Sequence, residues 1–151
     1  MRGEGEPMRR IISAGLLATA AVALAPAVVH ADETFSVRLS VVPIDNQTAR
    51  TTAGTGAVTV VLIEDRLFLT GAFDGMGSAA IAAHIHEGAS GQRGPIAFQL
   101  SVSKRADGLV GGGVTLSDEE VETLRRGGYY VQIHTETNPG GELRGWILPS
   151  E

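Results

Sequence analysis

"TFSVRLSVV", residues 34–42, changes character at every step: Phe35, Val37, Leu39 and Val41 share one parity, and Thr34, Ser36, Arg38 and Ser40 the other. Successive side chains of a strand point to opposite faces, so this pattern describes a strand with one face in a core and one in water. Similar strand patterns recur near 57–63, 67–73, 79–86, 95–101, 108–115, 129–135 and 142–148, separated by stretches rich in Gly, Asp, Asn and Pro. "IDNQTARTTAGTG" (44–56) is a loop by composition. About eight short strands predict an all-β class, an antiparallel β-sandwich or barrel.

One segment breaks the alternation. In "LSDEEVETLRRGG" (116–128), Ser117 stands three residues before Glu120, the spacing of a capping box. Acidic residues fill the first turn, Arg125 and Arg126 the last, and Gly127 follows as a stop, all in the sense the helix dipole favours. This predicts one short helix whose Val121 and Leu124 pack on the sheet.

The front of the chain reads differently. Met8-Arg9-Arg10 precedes the apolar run "IISAGLLATAAVALAPAVVHA" (11–31), which contains Pro26 and ends in Val29-His30-Ala31. A basic start, an apolar middle and a small-residue ending predict a signal peptide over 1–31, cleaved after Ala31, with a mature domain at 32–151. The expected location is periplasmic or extracellular, with no membrane span after cleavage. The 151-residue chain has 12 Lys and Arg against 17 Asp and Glu, net −5. The leader holds three arginines and two glutamates, so the mature domain is more acidic still. Interspersed, net-negative charge argues against a nucleic-acid partner, which needs clustered positive charge. There are no cysteines, so no disulfide framework forms and any metal must be held by nitrogen or oxygen.

Of the four histidines, His30 leaves with the leader; His84, His86 and His134 remain. "AAIAAHIHEGASGQRGP" (79–95) carries two of them one residue apart. On a strand, Ala80, Ala82, His84 and His86 share a face, and Ile81, Ala83 and Ile85 take the core side. Two imidazoles so placed can reach one metal ion. The third stands in "GGYYVQIHTETNPGGELRGWIL" (127–148), where Tyr130, Gln132 and His134 share the polar face and "TNPGG" is a turn. A turn centred on Pro139 sets His134 opposite Arg144, though a one-residue slip would send Arg144 to the wrong face. Tyr129 and Tyr130 fall on opposite faces, one for the core and one for the rim of a site. Trp146 and Phe98 read as packing residues.

Taken together, "HIHEGASGQRGPIAFQL" and "LRRGGYYVQIHTETNPGGELRGWI" resemble the chordin-type domain, CHRD, over nearly all of 34–148. The shared features are the His-x-His with its Gly-rich loop, the Leu-x-x-Gly run leading to Tyr-Val-x-x-His-Thr, and Pro-Gly-Gly-Glu-Leu-Arg-Gly. An extra Gly128 stands before Tyr129. The resemblance implies a β-sandwich and little about activity.

A second, partial resemblance concerns chemistry. Cu,Zn superoxide dismutases share an antiparallel Greek-key β-sandwich, which the resemblance implies here too, and hold copper with a His-x-His on one strand and a distant strand histidine, beside an arginine that attracts superoxide. In order and position His84, His86 and His134 are similar to those ligands and Arg144 to that arginine. The zinc-binding loop, the bridging histidine and the disulfide of that family are missing. The resemblance therefore implies a copper-only site on three histidines, with superoxide as its small-anion partner and no zinc site. Arg93 could add positive charge nearby, and Glu87, Gln132, Thr135 and Glu142 are candidates for fixing the imidazole tautomers.

Two rival readings stand beside it: a non-catalytic extracellular module binding a partner through edge strands or loops, and a copper carrier without turnover. Other enzyme classes find no support. There is no cysteine nucleophile, no Gly-x-Ser-x-Gly, and no Gly-rich phosphate loop between a strand and a helix.

Overall fold

The computed structural model describes residues 32–149. The leader expected at 1–31 lies outside the described residues. Eight strands appear in chain order: β1 (Glu33–Val41), β2 (Thr55–Ile63), β3 (Arg66–Asp74), β4 (Ala80–Glu87), β5 (Ile96–Val102), β6 (Gly108–Thr115), β7 (Tyr129–Thr135) and β8 (Leu143–Ile147). The single helix, α1 (Asp118–Arg125), lies between β6 and β7. Each expected strand is found within about two residues of its place.

The strands pair in the order β1-β2-β3-β6-β5-β4-β7-β8, and β8 returns to β1, so the antiparallel sheet closes into a barrel-like sandwich. The hairpin-linked β4, β5 and β6 lie with β3 beside β6, which is a Greek key. Closure rests on two short seams. β1 meets β8 only at Ser40–Arg144 and Val41–Leu143, and β5 meets β6 only at Ser101–Gly111 and Val102–Val110.

The alternation of β1 holds as far as Ser40, with Phe35, Val37 and Leu39 buried and Ser36, Arg38 and Ser40 exposed; it fails at the strand end, where Val41, expected on the core side, is 41% exposed and Val42 is buried instead. They join Val58, Val60, Leu62, Leu67, Leu69, Ile85, Val131, Ile133 and Ile147 in one core. Each such side chain contributes about 1.5–3 kcal/mol by leaving water, so this core outweighs any single polar contact.

Helix α1 forms as its sequence dictates. The Ser117 side chain accepts from the Glu120 amide, the Glu120 carboxylate accepts from the Ser117 amide, and Val121 and Leu124 are buried. Gly127 stops it at φ +70°, a left-handed conformation that suits glycine.

Two further local expectations are corrected. Ala80 pairs with Thr135 but Ala82 pairs with His134, so Ile81 is an extra residue on β4. This bulge reverses the parity below it: Ala80 is buried in the core and Ile81 is 40% exposed. Above the bulge the expected faces hold, with Ala83 and Ile85 inward. In the second hairpin Arg144 lies opposite Gln132, not His134. The turn centres one residue earlier than expected, which moves each partner by two, and the shared face survives.

Candidate metal centre

β4 and β7 are neighbours, which brings three histidines from two remote stretches of chain onto one patch. One nitrogen from each of His84, His86 and His134 lies within 4.8 Å of the other two. His84 Nδ1 stands 3.1 Å from His134 Nε2, and His86 Nε2 stands 3.5 Å from the same atom.

Backbone carbonyls settle two of the tautomers. His86 Nδ1 donates to Gly94 O at 3.0 Å and His134 Nδ1 donates to Pro139 O at 2.9 Å. Each ring must carry its proton on Nδ1 to make that bond, which leaves Nε2 as a lone pair facing the cluster. His84 turns its Nδ1 inward instead. Lone pairs set this close repel one another unless a proton carried by one of the rings, as on Nδ1 of a neutral His84, or a metal ion stands between them.

The cluster faces away from the barrel core, as the strand parities require, but not into open solvent. His86 is 7% exposed and His134 8%. Loops 88–95 and 136–142 fold over them and supply the two carbonyls. Tyr130 stacks on His86 with ring centroids 5.0 Å apart and planes 7° from parallel. Its hydroxyl accepts from the Gly94 amide at 3.1 Å and so holds that loop down. Gly94 permits the approach: a Cβ there would stand 1.6 Å from Glu87 O. As expected, Tyr129 goes to the core and Tyr130 to the rim of the cluster.

Burial and neighbouring imidazoles make protonation costly. The pKa of His84 is lowered first by burial, then by His134 and His86. That of His134 is lowered first by burial and further by His86 and Arg144, against the opposing pull of its bond to Pro139. Neutral imidazole is the form that ligates metal.

Arg144 is 7% exposed. Its Nε donates to Gln132 Oε1 at 2.7 Å, and its guanidinium lies 4.9 Å from the Tyr130 ring centre and 5.7 Å from that of Trp146. Gln132 Nε2 donates to Gly140 O at 3.0 Å and stands 3.5 Å from His134 Nε2, linking the arginine to the cluster. Among the described residues no carboxylate pairs with Arg144.

Of the four residues expected to fix tautomers, only Gln132 reaches an imidazole. Glu87 is exposed, and Thr135 and Glu142 form a separate buried group. Glu142 is fully buried. Its Oε1 accepts from the Ala53 amide at 2.9 Å and the Gly77 amide at 2.7 Å; its Oε2 accepts from Thr135 Oγ1 and from Asn138 Nδ2 at 3.1 Å. Burial alone would raise its carboxyl, but the bonds from Thr135, Gly77, Ala53 and Asn138 together hold it below the usual carboxylate range. Glu142 thus pins the turn that carries Pro139, one step removed from His134. A glutamate beside two glycines gave no sign of this, because its partners come from residues 53 and 77, far away in sequence.

Fold and site together define a small antiparallel β-barrel with a histidine cluster able to hold a metal ion. Residues 19–147 match the CHRD domain, and the chain belongs to that family. The match begins within the stretch read above as a leader. No curated protein and no solved structure matches the chain. Among the described residues no helix is long and apolar enough to cross a membrane.

Proposed function

We propose that this is an exported CHRD domain protein whose His84, His86 and His134 hold one copper ion, and that Arg144 draws superoxide to it for dismutation. The observation that carries the reading is the convergence of three imidazole nitrogens, two of them with tautomers set by main-chain carbonyls. Three neutral nitrogens and no carboxylate are a poor set for calcium or magnesium, which take oxygen ligands. Imidazole suits copper, zinc and nickel, and Cu(II) heads the affinity order among them. Copper, when bound, would supply the one-electron cycling that converts two superoxide ions and two protons to O2 and H2O2, which zinc cannot do.

The chain's own residues have distinct parts in this. Gly94 O and Pro139 O orient two rings, Tyr130 packs against one of them, and Arg144 keeps a fixed positive charge close by. That charge matters because superoxide approaches a protein of net charge −5 and must be focused locally against a repulsive background. Arg93, near enough to lower the pKa of Arg144, adds to the same field.

The test is a copper titration of the purified protein followed by a superoxide-decay assay on the loaded form. The expected result is one copper per chain, lost in His134→Ala. In Arg144→Ala copper is retained while the decay rate falls about tenfold and loses most of its dependence on ionic strength. Absence of stoichiometric copper binding overturns the metal reading. Binding without turnover makes the protein a copper carrier.

A further inference from the structure

Arg144 also lines a second feature, on the side away from Gln132. An open cleft of about 670 Å³ runs along β1 and β8, lined by Ser36, Arg38, Ser40, Arg144 and Trp146, with Ser90 contributed by the 88–95 loop. Ser40 and Arg144 are direct cross-strand partners, so they stand side by side in it.

The electrostatics of this cleft are incomplete. Guanidinium has five N–H donors, and among the described residues the only hydrogen bond from Arg144 is Nε to Gln132. A cation this little exposed, its free N–H groups turned to an open cleft, is stabilised by an anion that pairs with it there. Burial, and after it Arg93, lower the pKa of Arg144 against the opposing pull of Tyr130, and among the described residues no carboxylate pairs with it. Arg38 likewise has no ion-pair partner among the described residues. Among the described residues no Asp or Glu lines the cleft. What would complete it is an anion from outside.

Size excludes the smallest candidates as a full occupant. A diatomic anion needs roughly the ~30 Å³ of a water molecule, whereas clefts of a few hundred Å³ suit small organic molecules. The remaining lining is apolar: Trp146, with Val41 and Leu148, which are 41% and 49% exposed. An occupant therefore needs an anionic group for the arginines and a hydrocarbon part for the indole. Carboxylate matches the planar fork of arginine, with which it forms paired hydrogen bonds.

We propose that the β1–β8 cleft binds a small organic carboxylate, held by Arg144 with Arg38 alongside and packed against Trp146. This goes beyond the copper reading; it shares Arg144 with that reading but does not rest on it.

Trp146 is the only tryptophan of the chain, so its fluorescence reports on the cleft directly. Hexanoate is titrated into the metal-free protein at constant ionic strength, with hexanamide and inorganic sulfate in parallel. The expected result is a saturable shift with hexanoate, at least tenfold weaker with either control. Arg144→Gln weakens hexanoate at least tenfold and Arg38→Gln about threefold, while His84→Ala leaves it within twofold. A hexanamide or sulfate response equal to that of hexanoate, or no saturable response, overturns the proposal. So does unchanged binding in Arg38→Gln and in a folded Arg144→Gln. Because no metal is present, failure here leaves the copper reading standing, and failure of copper binding leaves this one standing.

Discussion

Replacing Glu142 by glutamine keeps the volume of the side chain and removes its charge, so the change probes hydrogen bonding without opening a cavity. The native carboxylate accepts four hydrogen bonds and donates none. An amide in its place can satisfy only one pair of those donors. Oriented with its oxygen on the Ala53 and Gly77 amides, it sets its own N–H2 against Asn138 Nδ2; reversed, it sets it against two backbone N–H groups. In the first orientation Thr135 Oγ1 can turn to accept from the new N–H2, so the Asn138 bond is lost and the other three lose their charge assistance; at about 1.5 kcal/mol for the first and about 0.5 kcal/mol for each of the others, the cost is about 3 kcal/mol in all. For a domain of this size that corresponds to roughly 12 °C in Tm. The pH dependence adds a second signature. Because the folded carboxyl is held below the ordinary glutamate value of 4.5, its contribution is fully present above that pH and is lost as pH falls through the depressed folded value. The gap between native and Glu142→Gln proteins, followed by calorimetry from pH 7 to pH 3, should therefore close on the acid side. A Tm loss under about 3 °C at pH 7, or a gap that stays constant down to pH 3, would refute this account of Glu142.

Three further outcomes follow from the site and its supports. Gly94→Ala places a Cβ 1.6 Å from Glu87 O, so the 88–95 loop must shift and take its carbonyl from His86; copper affinity measured by competition with a chelator should fall at least tenfold. His84 and His134 titrate below the ordinary imidazole value of 6.5, so their contribution to the metal-free protein is present above that pH and is lost as pH falls through the lowered values. Denaturant titrations of metal-free protein at pH 7.5 and pH 5 should show it, and equal imidazole contributions at both would contradict the burial argument. Ser117→Ala removes the N-cap acceptor of α1 and should cost about 1 kcal/mol in chemical denaturation, with copper binding unchanged.

Much of this was legible because the relevant signals are local. Strand parity placed Ala83 and Ile85 inward and the His84/His86 pair outward, and the capping box located α1 to within two residues of its ends. What escaped were features set by pairing at a distance. The Ile81 bulge follows from how β4 meets β7, and alternation in β4 alone contains no mark of it. The hairpin register was displaced because Asn138, not Pro139, sits at the turn centre, its side chain held by Glu142 and by Thr51 O at 2.9 Å. The shift was even, so Arg144 kept its face. The carbonyls of Gly94 and Pro139 could not have been identified in advance, since every residue carries one and only the folded loops aim these two.

The two short seams divide the barrel unequally in chemical terms. Each has two strand pairs and one further backbone bond at its end, from Val42 N to Glu142 O and from Ser103 N to Leu109 O, while the ladders within β1-β2-β3-β6 and within β5-β4-β7-β8 run longer. Thermal breathing therefore starts along these lines, where the fewest backbone bonds must break. His84, His86, His134 and Arg144 all ride on the same leaf. The barrel can gape and reclose without its four key side chains being parted from one another.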